Sequence, residues 1–220
     1  TANLLGYCLN ALEVLGVVLE WKTSEWILSN LTYLQKLLEK CIKSDNHDIQ
    51  EVLQRVLRVI LLAINDERGL ATSIEDEDDE VKEFITLLTA TVSEDLGDMP
   101  SVAAGVTLSW TLANYRPSTL DALLPLIMRT FSKLCKDHIT IIHQGNQSSS
   151  KDSTNSEFEA KTTTKLLEKI LNLSSMRISN LGDQRRIFLS LLAQLIERSL
   201  DKATLEKIIQ MVKSWVFSRT

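Results

Sequence analysis

Glycine and proline are scarce in this chain, seven and three among 220 residues, and aromatic side chains make up only 5%. A β-rich fold needs a turn residue every few positions, so this shortage excludes a many-turned sandwich or barrel. Cysteine is almost as rare. Cys8, Cys41 and Cys135 are far apart, each on or near an apolar stretch. That odd, dispersed set reads as reduced, buried thiols of an intracellular protein rather than a disulfide framework. No run of about 18 uninterrupted apolar residues occurs, so no helix is expected to span a membrane. The start, Thr1-Ala2-Asn3-Leu4, has neither an initiator Met nor a basic leader, and is no signal peptide. Leu4 already lies on a helical pattern, and Trp215-Val216-Phe217 is strongly apolar near the end, so the chain reads as a piece from within something longer. Phosphate-cradling and nucleophile-elbow signatures (G-x-x-x-x-G-K-[ST], G-x-G-x-x-G, G-x-S-x-G) are all missing.

What is present is leucine at helical spacing. Trp26 to Ile42 and Ile49 to Ile64 read as two helices back to back. The first places Ile27, Leu31, Leu34, Leu37, Leu38 and Cys41 on one face, the recurrence of a buried helical stripe. Ser44-Asp45-Asn46 interrupts the pattern with side chains that satisfy helix-end backbone groups. It then resumes through Val52, Leu53, Val56, Leu57, Ile60 and Ala63. One hairpin cannot bury both its apolar faces and must stack on others.

Around this hairpin the periodicity predicts an all-α fold, a HEAT-like α-solenoid of about nine antiparallel helices spanning residues 1–220. Alternate helices begin near Leu4, Ile49, Val102, Phe158 and Leu205, a repeat interval suited to helix pairs. Gly105 is a weak point within its helix. Two segments fall outside the pattern. Residues 66–80 contain six adjacent acids, Glu75 to Glu80, and are expected to form an acidic loop. Gly145 to Ser156 has no apolar residue and is expected to be a polar, flexible loop.

Charge is unevenly spread. Residues 1–100 hold 8 basic and 19 acidic side chains, net −11, whereas residues 101–156 carry +2 and residues 157–220 carry +4. The acidic first half argues against a direct nucleic-acid footprint. The one local basic feature is Lys36, Lys40 and Lys43, a stripe about 11 Å long opposite the buried face of its helix. Arg55 and Arg58 on the next helix are expected to extend it if the hairpin shows both polar faces side by side. A solvated helix face explains such a stripe as readily as a protein-binding surface does.

Chemistry-bearing groupings are few. Cys135, His138 and His143 form C-x2-H-x4-H, which suits a zinc site only with a fourth ligand; a buried cysteine with surface histidines is the simpler reading. Cys41 with His47 lacks a third, orienting group. Arg185-Arg186 is unremarkable, and Trp21, Trp26, Trp110 and Trp215 are expected in core and hairpin packing rather than on a base-stacking platform. No catalytic, cofactor-binding or metal-binding residue is therefore assigned, and no enzyme is expected.

Several short runs resemble the transformation/transcription domain-associated protein family, the very large pseudokinase scaffolds of SAGA-like histone acetyltransferase complexes. They are Leu12-Glu13-Val14-Leu15, Leu28-Ser29 with Leu34-Gln35, Met128-Arg129-Thr130-Phe131-Ser132-Lys133, Leu195-Ile196-Glu197-Arg198-Ser199 and Val212-Lys213-Ser214-Trp215-Val216. The wording is closer to a fungal member than an animal one, and the two loops depart from it. The resemblance implies a central HEAT-repeat segment of a nuclear scaffold. Its implied partners are transcription activator segments, other acetyltransferase-complex subunits and neighbouring helical repeats of the parent chain. A HEAT scaffold of another class, such as a nuclear transport receptor or phosphatase regulatory subunit, would share the fold.

Overall fold

A computed structural model describes residues 2–67, 78–145, 153–199 and 201–217. Among them are ten α-helices, a few short 3-10 turns and no strand. The chain is thus all-α, as expected, and divides into two compact units, Thr1–Leu120 and Asp121–Thr220.

The first unit holds α1 (Ala2–Glu20), α2 (Ser24–Ser29), α3 (Leu31–Ile42), α4 (His47–Glu67), α5 (Asp79–Gly97) and α6 (Val102–Tyr115). Helices pack with the next but one as well as with their chain neighbours. α4 lies on α1 and receives α6, α5 lies on α3, and α2–α3 and α5 close against the row α1–α4–α6. Two rows of parallel-stacked helices are what repeated HEAT-like pairs produce. In the second unit α7 (Leu124–Gly145), α8 (Ser153–Met176), α9 (Gln184–Arg198) and α10 (Lys202–Phe217) follow the same rule, with α7 on α8 and α9, and α10 on α8 and α9.

The helix expected over Trp26 to Ile42 is two helices, which accounts for ten rather than nine. The Asn30 amide donates to the Trp26 carbonyl at 2.8 Å, and its backbone sits at φ −112°, ψ 11°. A short polar side chain has taken the place of a helical backbone bond, and the axis breaks there. Thr23 caps the short α2 by accepting from the Trp26 N–H at 3.2 Å. The buried stripe of α3 is Leu31, Leu34, Leu38 and Ile42. Leu37, assigned to the core from spacing, is 52% exposed. At the hairpin turn the Asn46 carboxamide oxygen accepts from the Ile49 N–H at 3.1 Å and starts α4. Buried Gln50 reaches back, its amide donating to the carbonyls of Cys41, Ile42 and Ser44 at the end of α3.

Gly105 is no weak point. A Cβ there would come within 2.8 Å of the Asp95 Cβ and 3.1 Å of the Leu96 backbone nitrogen. Glycine is what lets α5 and α6 cross at this distance. The expected acidic loop lies mostly outside the described residues. Its last members are placed: Asp78 is the N-cap of α5, and Asp79 and Glu80 fill the first turn, where the helix dipole favours negative charge. The polar stretch expected to end at Ser156 gives way to α8 at Ser153. Polar residues still propagate a helix once it has begun.

One helix among the described residues meets the length and hydropathy of a membrane span, although its apolar run is interrupted as the sequence shows. Asn3–Glu20 is long and apolar enough to cross a bilayer by length and composition, with mean hydropathy 1.3 and only 17% of it buried. Glu13 and Glu20 interrupt the apolar run without lowering the average enough.

Candidate protein-binding surface

The three lysines lie on the solvent side of α3. All are exposed, and Lys36 and Lys40 have no ion-pair partner among the described residues. With 3.6 residues per turn, both point away from the stripe of Leu31, Leu34 and Leu38. Tyr33, 68% exposed, stands one turn before Lys36 and two before Lys40. Lys43 is engaged. Its ammonium donates to Glu39 at 2.7 Å, which raises the lysine pKa and lowers that of Glu39.

Arg55 and Arg58 do not extend the stripe. The Arg55 guanidinium turns to α1 and donates through Nε and Nη2 to the two oxygens of Glu20, at 2.9 and 2.8 Å. This bidentate bond is the main reason that the Glu20 carboxyl lies below the usual range, with weaker help from Arg58. These two arginines serve the α1–α4 row, while the lysines crown α3 in the other row.

Cys135 is buried, as expected, and Cys8 and Cys41 are half-buried, whereas one of the histidines takes a place that the sequence did not foretell. Of the two histidines read as superficial, His143 is exposed, but His138 is 1% exposed. Its Nε2 lies 2.9 Å from the Ser199 hydroxyl and its Nδ1 3.4 Å from that of Thr164. Both ring nitrogens are occupied by hydroxyls, so His138 ties α7 to α8 and to the turn before α10. The i, i+3 spacing that suggested a zinc ligand is simply the inward face of α7. Among the described residues no group of three or more His, Cys, Asp or Glu is placed to hold a metal. Burial pushes the Cys135 thiol up to about 12. Cys41 faces Cys8 rather than His47; burial, then Cys8, push its thiol up to about 11, far from a reactive thiolate. His47 instead lies 3.7 Å from Glu51.

The tryptophans divide. Trp215 packs on Phe188 and donates to Ser175 Oγ at 2.9 Å. Trp26 carries the Lys22 ammonium 4.9 Å above its ring. Trp21, expected to pack, is 86% exposed. Arg185 caps the turn before α9 by donating to the Ile178 and Ser179 carbonyls.

Two titrating groups make opposite predictions for the two units. Burial holds the His138 pKa below its ordinary range, against a weaker opposing pull from Asp201. The unfolded chain takes up a proton at about pH 6.5, the folded chain only at lower pH, so the second unit loses stability as pH falls below about 6.5. Asp95, where α5 meets α6, is pushed up to about 6 by burial, then by Glu94, Asp45 and Asp98. Here the folded chain binds the proton first, so the first unit gains stability as pH falls through about 6. Hydrogen exchange across pH 5 to 8 will show these slopes unit by unit. His138→Gln should flatten the second, and Asp95→Asn should stabilise the first unit most at pH 8, less at pH 5 and scarcely below about pH 4.

The family model described as "Tra1 HEAT repeat ring region" matches residues 1–220. The chain is 50% identical over 216 residues, 98% of its length, to the SAGA complex/NuA4 acetyltransferase complex subunit TRA1 of Saccharomyces cerevisiae. It is 28% identical over 94% of its length to the subunit of the same name from Schizosaccharomyces pombe. To the mouse transformation/transcription domain-associated protein it is 24% identical over 96% of its length. It spans only 6% to 8% of the length of these relatives.

Proposed function

This chain belongs to the Tra1 HEAT repeat ring region family, and on that premise we propose that it is a non-catalytic scaffold segment of a nuclear transcription coactivator. In this reading the stacked helix rows hold neighbouring repeats and complex subunits in place, and the outer crest of α3 receives transcription activator segments. The observation that carries the docking part is the pairing of Lys36 and Lys40, exposed and without ion-pair partners among the described residues, with the exposed ring of Tyr33 one turn away. Activation segments combine acidic and hydrophobic residues. A chain of net −5 repels them on average, so a local basic crest with an aromatic neighbour is where they would be met. Arg55 and Arg58 belong less to this surface, because Glu20 occupies the first and lies beside the second.

Charges at such a rim chiefly raise the association rate and are screened by salt. Changing Lys36, Lys40 and Lys43 together to Glu should weaken binding of a labelled acidic activation peptide about tenfold at low salt, and less at high salt. Lys43 should contribute least, being held by Glu39. Titration at two salt concentrations, with circular dichroism to check the fold, tests this. Unchanged affinity would return the crest to an ordinary solvated helix face.

A further inference from the structure

α7 presents a single exposed row to solvent. Pro125, Arg129, Lys133, Lys136, Thr140 and His143 follow one another in steps of four and three, and no other side chain described on this helix is exposed. At 3.6 residues per turn they fall within an arc of about 80°, and the three cations span about 10 Å of the helix axis. The opposite side carries buried Phe131, Leu134, Cys135 and His138, and within its unit α7 packs on α8 and α9. Nothing balances the charge of the row. Asp137 is the one carboxylate on α7, and it is half-buried at the border. Arg129, Lys133 and Lys136 make no ion pair among the described residues. On α3 the ring of Tyr33 stands beside the lysines, whereas the row on α7 has no aromatic or long aliphatic member.

We propose that the exposed row of α7 is the docking face for an acidic α-helix of another subunit of the coactivator assembly, one that carries Glu or Asp in the same steps of three and four. Charge complementarity selects an acidic partner, since the face offers only cations and neutral side chains. The geometry selects a helix. Cations in one straight row, at axial intervals of about 4.5 to 6 Å, match carboxylates that recur at the same intervals along a facing helix. An activation segment mixes acidic with hydrophobic residues and finds no apolar seat here. Nucleic acid fits less well, because a phosphate footprint needs a broader basic surface and a single strand needs aromatic platforms. Exposed charge pairs are individually weak and screened by salt. The contact therefore orients a helix already tethered within the assembly, where a high effective concentration makes up for modest affinity.

The inference rests on the reading of the chain as part of an assembly, but not on the crest of α3. Its test titrates the whole parent protein at low salt with a labelled, alanine-based helical peptide whose glutamates form one stripe in steps of three and four. Changing Arg129, Lys133 and Lys136 together to Glu should weaken binding of this peptide about tenfold. Changing Lys36 and Lys40 to Glu should leave it unaltered. A peptide of the same composition with its glutamates spread around the helix should bind several-fold more weakly. The counterpart with lysines in the stripe should bind the α7 variant and not the unaltered protein, which also shows that the altered helix is still folded. In the native assembly, a carbodiimide, which condenses an amine with a carboxylate as it is itself hydrated to a urea, should link Lys133 or Lys136 to an acid of another subunit. Equal binding of the striped and scattered peptides, a loss that the lysine peptide does not reverse, or the lack of any such link would overturn the proposal. So would a DNA duplex whose binding depends on the three cations more steeply than the peptide's. The peptide titration needs no other subunit and uses α3 only as a control, so this inference and the activator reading can fail separately.

Discussion

Phe188→Ala should cost the second unit about 3–5 kcal/mol in a denaturation experiment. Phe188 is fully buried on α9. Its ring lies 5.7 Å from that of Phe131 on α7 and 5.9 Å from that of Trp215 on α10, both tilted. One side chain therefore joins three helices, and tilted aromatic pairs add roughly 0.5–1.5 kcal/mol to the burial of the ring itself. Removing it leaves a void whose walls are large rigid rings, which relax into a cavity less readily than leucines do. Leu189, the next residue, is 48% exposed, and Leu189→Ala should stay within about 0.5 kcal/mol of neutral. Urea unfolding followed by Trp215 fluorescence, in a protein whose Trp21, Trp26 and Trp110 are replaced by Phe, reads the second unit. Equal losses at the two positions would mean that α9 is rotated about its axis from the phase described.

The second large effect is expected at Arg177. Its guanidinium closes the end of α8 onto Asp121, with Nε donating to Oδ1 at 3.0 Å and Nη2 to Oδ1 and Oδ2 at 2.8 and 2.7 Å. The Asn180 amide adds a bond to Oδ2 at 3.1 Å. The arginine side chain is 16% exposed and the aspartate 35%, so water screens the pair only in part. Arg177→Met should cost about 2–3 kcal/mol, below the figure for a fully buried pair, mostly because the aspartate is left without its counter-charge. Adding Asp121→Asn should then recover part of the loss. If the double variant is no better than Arg177→Met alone, the arginine acts through packing of its stem and not through charge. Arg177→Lys should be intermediate, since an ammonium cannot reproduce the forked bonds.

Much of this was legible beforehand because it follows from periodicity. Leu53, Val56, Leu57 and Ile60 of α4 recur at helical spacing and are all buried, and alternate helix starts near Leu4, Ile49, Val102, Phe158 and Leu205 correspond to α1, α4, α6, α8 and α10. Scarcity of turn residues was enough to exclude sheet. The candidate surface was legible in part. Exposure of Lys36 and Lys40 follows from their phase opposite Leu34 and Leu38. The capture of Arg55 by Glu20 does not, since those residues are 35 positions apart.

Local properties were readable from residue order: which segments are helical, which stripe of each is apolar, and where acids suit a helix start. Those properties depend on residues within one or two turns of each other. Which apolar stripe has a neighbour depends instead on how distant helices pack. Leu37 and Leu38 are adjacent and equally apolar, yet one is 52% exposed and the other 1%, because burial depends on where other helices lie. Gly105 looked like a flaw until α5 was found against it, and His138 looked superficial until Ser199 and Thr164 closed on its two nitrogens. In each case the deciding atom belongs to a distant part of the chain, and a helical period carries no information about which distant part that is.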